Sequence, residues 1–70
     1  METINPVPPL NKRETEILKL LSEGNSYKHI SYKVRLSLST INMYIRSAKN
    51  KLNAPNTAHA VALFVRMVVS

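Results

Sequence analysis

The chain has 70 residues, room for one small domain, with ten Lys and Arg against four acidic groups and a formal charge of +6. It has no Cys and only two isolated histidines, His29 and His59, which excludes a disulfide framework and a thiolate metal site. The apolar share of 44% excludes wholesale disorder. No apolar run reaches the ~18 residues of a membrane span and no secretory pattern opens the chain, so a cytoplasmic location is expected.

Residues 1–9, with three prolines in four positions, are expected to form an extended lead-in. Asn11 starts the first helix as its N-cap, with Glu14 completing a capping box in which Asn replaces the usual Ser or Thr. Ile17, Leu18, Leu20 and Leu21 supply the apolar face, and Gly24 follows as a left-handed C-terminal cap, so the helix runs over roughly 12–23. Ser26 caps a short second helix, roughly 27–34, that buries Ile30 and Val34. Arg35, Leu36 and Ser37 then make a tight turn of the length found at a helix-turn-helix corner, and Ser37 caps a third helix.

The third helix is expected over roughly 38–52. At about 100° per residue, Ile41, Tyr44, Ile45, Ala48 and Leu52 share one stripe, which is the core face. Ser39, Asn42, Met43, Arg46 and Asn50 fall on the other side, which is polar, basic and free of acid. Asn53 to Pro55 break this helix, and Asn56 or Thr57 caps a fourth over roughly 57–68. Apolar residues cover nearly the whole circumference of that helix, so it must be buried on more than one side. A domain this small cannot surround it alone, and the remaining side is expected to meet another chain through Ala58, Val61, Ala62, Val65 and Val68.

Charge is divided unevenly. Residues 1–24 hold three basic and four acidic groups, a net of −1. Residues 25–70 hold seven basic groups (Lys28, Lys33, Arg35, Arg46, Lys49, Lys51 and Arg66) and no acid. A one-sided basic field attracts a polyanion, although a solubilising surface would have the same composition.

Several separately spaced motifs agree with one family. Leu10-Asn11-Lys12-Arg13-Glu14-Thr15-Glu16-Ile17-Leu18-Lys19-Leu20, then Glu23-Gly24-Asn25-Ser26 with Ile30, resemble the opening of the LuxR/GerE-type DNA-binding domain. Ser37-Leu38-Ser39-Thr40-Ile41, Lys51-Leu52-Asn53-Ala54-Pro55-Asn56 and Ala60-Val61 continue the resemblance in order and spacing over about residues 10–65. The Lys-Leu-Asn-Ala-Pro-Asn stretch is most similar to the acyl-homoserine-lactone receptor branch, tied to quorum sensing. The resemblance implies an all-α, four-helix helix-turn-helix domain whose third helix enters the DNA major groove and whose fourth carries a dimer contact. Family members usually add an N-terminal ligand-binding or receiver domain, for which these 70 residues have no room. A stand-alone short regulator or an excised domain is expected, Met1 leaning toward the former.

The chain departs from the family pattern at His29, where Glu is usual, at Ser31 for Ala, at Tyr44 for His, and at Arg35, where a small turn residue is common. Thr57 replaces a frequent Arg, and the end, Met67-Val68-Val69-Ser70, lacks the usual Gly-Leu-Ile tail.

The family's base-reading pair matches Asn42 and Arg46. Arg46 suits a bidentate contact with guanine O6 and N7, Asn42 suits adenine N6 and N7, and Met43 suits a thymine methyl. Each also reads blandly, as a solvated surface residue or, for Arg46, as a phosphate contact. Ser39 and Thr40, in the first turn of the third helix, together with Lys28, Lys33, Arg35, Lys49 and Lys51, are phosphate candidates that would set affinity and salt sensitivity rather than sequence choice. Local capping competes for Thr40, and plain solvation for each cation.

His29 and His59 have no second ligand nearby, and no metal or cofactor is expected. Of the three tyrosines that could stack on single-stranded bases, Tyr44 lies on the core stripe, and Tyr27 and Tyr32 have no flanking β platform. Glu14 and Glu16 are two apart on a helix and face different ways, so they make no catalytic pair. With no nucleophile–base constellation, an enzyme is not expected. The leading expectation is a homodimeric bacterial transcription regulator on a two-fold site in double-stranded DNA, working at the nucleoid. A second is an interaction protein that pairs through the fourth helix with a full-length LuxR-type regulator and antagonises it. A sigma-factor region-four-like module is a third, disfavoured by Ala60-Val61 and the apolar fourth helix.

Overall fold

A computed structural model describes residues 10–69; the lead-in expected over 1–9, like Ser70, lies outside the described residues. Four helices follow one another: α1 (Lys12–Ser22), α2 (Tyr27–Val34), α3 (Leu38–Leu52) and α4 (Thr57–Val69). The described residues contain no strand, so the fold is all-α as expected. Two boundaries differ by one residue: α1 stops at Ser22, and α4 continues to Val69.

Local capping chemistry sets these boundaries. The Asn11 side chain accepts from the Glu14 amide at 2.8 Å, and Glu14 Oε1 accepts from the Asn11 amide at 3.0 Å, which closes the capping box. Ser26 accepts from the His29 amide at 3.1 Å, and Ser37 accepts from the Thr40 amide at 3.2 Å. Asn56, rather than Thr57, caps α4: its Oδ1 accepts from the His59 amide at 2.8 Å.

At the other end of α1 the Gly24 amide bonds Leu21 O at 3.0 Å and the Asn25 amide bonds Leu20 O at 3.2 Å. This paired ending needs a left-handed residue, and Gly24 supplies it at φ +94°. Asn53 plays the same part after α3 at φ 57°, with the Ala54 amide bonding Lys49 O at 2.9 Å. After α2 the left-handed residue is Arg35, at φ 59°.

α1 packs on each of the other three helices, and α3 packs on both α2 and α4. The core has two lobes. Ile17, Ile30, Val34, Ile41 and Ile45 fill the first, between α1, α2 and α3. Leu18, Ala48, Leu52, Ala60 and Phe64 fill the second, between α1, α3 and α4. The buried stripe of α3, Ile41, Ile45, Ala48 and Leu52 with Tyr44 half-buried beside it, is the stripe that periodicity predicts. The opposite face of α3 is thereby held outward.

Candidate nucleic-acid interface

The open face of α3 is built from its helical repeat. Leu38, Ser39, Asn42, Met43, Arg46 and Asn50 are all exposed, within an arc of roughly 140° that centres near Arg46. Met43 is 60% exposed and Leu38 47%. Period alone does not assign Leu38, which lies between the two faces, about 60° from Ile41 and about 40° from Asn42 on the wheel. Only its exposure in the fold places it with the outward set.

Asn42 and Arg46 sit one turn apart on this face. The Asn42 amide group donates to Leu38 O at 3.1 Å, which orients its oxygen and its second hydrogen away from the helix backbone. At the start of α3 the Ser37 and Thr40 hydroxyls are 2.9 Å apart, and the Ser37 and Ser39 hydroxyls 3.4 Å. Three hydroxyls therefore gather at the amino end of α3, where backbone N–H groups and the helix dipole favour an anion.

The turn leading into α3 is held by Ser31. Its carbonyl accepts from the Leu36 amide at 3.2 Å, and its hydroxyl donates to the Leu36 carbonyl. This two-way exchange closes the turn around Arg35, which adopts a left-handed conformation that glycine takes at no steric cost. The serine at 31 thus secures the turn that holds Arg35 in its left-handed conformation.

Lys28, Lys33 and Arg35 are exposed on α2 and its turn, and Lys49 is half-buried. Lys51 differs from these four. Its ammonium lies 2.9 Å from Glu14 Oε1, on α1. Sequence reasoning also missed Glu14 as more than a cap. It is 2% exposed, and its Oε2 accepts from the Ser47 hydroxyl at 2.6 Å. Burial pushes the Glu14 carboxyl up, but the Ser47 hydroxyl, the Asn11 amide and the Lys51 ammonium outweigh burial and hold it below the ordinary glutamate range.

The remaining described acids, Glu16 and Glu23, are exposed on α1 and just beyond its end, and Glu16 pairs with Arg13 at 2.9 Å. α2, α3 and α4 present no acid at all. On α4, Ala60 and Phe64 are buried and Val61, Leu63 and Met67 half-buried against the second lobe. Ala58, Ala62, Val65, Val68 and Val69 are exposed. Of the five residues expected to meet a partner, Val61 is the one that the chain itself partly covers. No group of His, Cys, Asp or Glu among the described residues could hold a metal ion, and no helix is long and apolar enough to cross a membrane.

Comparison with known proteins bears on the same residues. The family described as bacterial regulatory proteins, luxR family, matches residues 8–64. The chain is 38% identical over 52 residues to the transcriptional activator protein CarR of Pectobacterium carotovorum, covering 74% of this chain and 21% of that protein. It is 40% identical over 55 residues to the uncharacterized transcriptional regulatory protein YvfU of Bacillus subtilis, covering 79% and 28%. To the spore germination protein GerE of Bacillus subtilis it is 33% identical over 60 residues, covering 86% and 81%. The chain thus spans less than a third of the length of the first two and most of the third. A solved Vibrio cholera VqmA–ligand–DNA complex contains a chain that superposes with a TM-score of 0.79 at 25% identity, over 93% of this chain and 28% of that one.

Proposed function

The chain belongs to the luxR family of bacterial regulatory proteins, and on that premise we propose that it binds double-stranded DNA sequence-specifically as a transcription regulator. The observation that carries this reading is the exposed face of α3, which holds Arg46 among polar residues with Leu38 and Met43 and has no acid, on a helix whose opposite stripe is buried in the core. An α-helix fits the ~12 Å major groove. Asn42, Met43 and Arg46 meet base edges. Ser39 and Thr40, with Lys28, Lys33, Arg35 and Lys49, supply phosphate contacts around them. Lys51 reaches a phosphate only by leaving Glu14.

The exposed apolar stripe of α4 supports a homodimer on an inverted-repeat site. The same stripe also suits pairing with a full-length LuxR-type protein, the second reading. Purified protein titrated onto duplex DNA alone, beside co-purification from cells holding the larger partner, separates the two.

Affinity measured against salt tests the DNA reading directly. Each phosphate neutralised adds about −0.9 to the slope of log K against log salt. A clearly negative slope is expected, and a slope near zero contradicts phosphate contact. Arg46→Ala should relax discrimination at one base position by about 1–3 kcal/mol; an unchanged preferred motif counts against its assigned base contact.

A further inference from the structure

We propose that Glu14 is a positioning residue for base recognition: with Ser47 and Lys51 it clamps α3 to the start of α1 and fixes the rotation of the helix that carries Arg46. The inference rests on the DNA reading above and says what sets its sequence discrimination.

The clamp joins residues far apart in the chain. Glu14 Oε2 accepts from Ser47 at 2.6 Å and Oε1 accepts from Lys51 at 2.9 Å, one turn further along α3. The carboxylate is itself held by the Asn11 amide at 3.0 Å. Both ends are therefore fixed, one in the α1 capping box and the other in two successive turns of α3.

Position on the helix gives the clamp its consequence. Ser47 directly follows Arg46, the centre of the exposed face. The apolar stripe of α3 packs among residues of α1, α2 and α4 through contacts that have no strong direction, so it sets the rotation of the helix only coarsely. Hydrogen bonds to a buried carboxylate are directional. A rotation of about 10° moves a side-chain tip ~6 Å from the axis by roughly 1 Å. That is more than the spread of good hydrogen-bond lengths, so a bidentate base contact is lost. Phosphate contacts from flexible lysines tolerate the same shift. The clamp therefore acts on the ratio of operator to random-sequence affinity more than on affinity itself.

The test uses the full chain and two duplexes: one selected by the wild-type protein from a random pool, and a scrambled duplex of the same composition. Ser47→Ala should lower the affinity ratio by about tenfold, the scale of one well-aligned base contact, while scrambled-DNA affinity changes little; Lys51→Met should lower the ratio similarly, beyond the loss common to both duplexes that removing a cation brings. Ser47→Thr, which keeps the hydroxyl, should restore the ratio. Gly24→Ala, which strains the backbone at φ +94° in the turn between α1 and α2, serves as the control for lost stability, because unfolding lowers both affinities by one common factor. Glu14→Gln should behave like Ser47→Ala if it folds, and the two α3 variants carry the test if it does not. Equal losses on both duplexes, or no change in the ratio, overturn the clamp. If the wild type selects no preferred duplex, the DNA reading itself falls before any variant is compared.

Discussion

Glu14 is a buried charge whose cost is offset by three donors, and that arrangement predicts a pH dependence. Its folded pKa lies below the ordinary glutamate value, so the unfolded chain binds the proton more readily. The stability this creates is present above the unfolded value and is lost as pH falls through the folded one. Urea melts between pH 7 and pH 3 should show that loss, and Lys51→Met should flatten it. An unchanged pH profile in the variant contradicts the pairing. A second prediction concerns the turn before α3. Ser31→Ala should destabilise the fold by about 1 kcal/mol, because it removes one hydrogen bond from a strained turn. Arg35→Gly should recover part of that in the double variant by removing the left-handed strain. Thermal melts of the three variants check this, and a double variant no more stable than Ser31→Ala contradicts the account. At this scale the sequence was legible where partners are neighbours. Asn11, Ser26 and Ser37 cap groups three residues away, as their positions predict. The Glu14 bonds to Ser47 and Lys51 span more than thirty residues, and no local pattern announces them.

The helices were legible almost to the residue, for a physical reason. Each start has a side chain that accepts a backbone N–H, and three ends have a left-handed residue that closes the last turn. Gly24→Ala should cost about 1–2 kcal/mol, because strain at φ +94° arises even though nothing lies within 4 Å of the added carbon. Equilibrium unfolding measures that cost, and a neutral or stabilising substitution contradicts the cap. The face of α3 followed from period alone, except at Leu38, which lies on the edge between faces. For α4, composition showed an excess of apolar residues but not which of them the chain covers. Val61 is half-buried on the second lobe, whereas Ala62 and Val65 face outward. Val61→Asp should therefore disturb the fold, while Ala62→Asp should leave it intact and weaken association through α4. Sedimentation beside circular dichroism separates these outcomes. An Ala62→Asp variant that associates as the wild type does contradicts a partner on this stripe.

Over the whole molecule, charge and packing divide the domain in the same way. α1 sits at the centre of the packing and, with its C-terminal cap, brings the exposed acids of the described residues, while α2, α3 and α4 expose only basic and neutral groups. Among the described residues the acids keep to α1 and its C-terminal cap, which the proposed DNA contact does not use. Such a division orients the domain toward a polyanion before any base is read. The uneven charge was visible in the sequence. The fold adds that Glu14 is withdrawn from the surface and that Lys51 is spent on it, so the outward field comes from fewer groups than the count suggests. The central claim is that α3 meets the duplex with its Asn42–Met43–Arg46 face. Backbone amide shifts recorded while the isotope-labelled protein is titrated with its selected duplex test that claim most directly. The largest changes should gather on α3 from Leu38 to Asn50 and at the turn around Arg35, with the exposed side of α1 left nearly still. Changes centred on α1 around Glu16 and Glu23, with α3 unmoved, would contradict it.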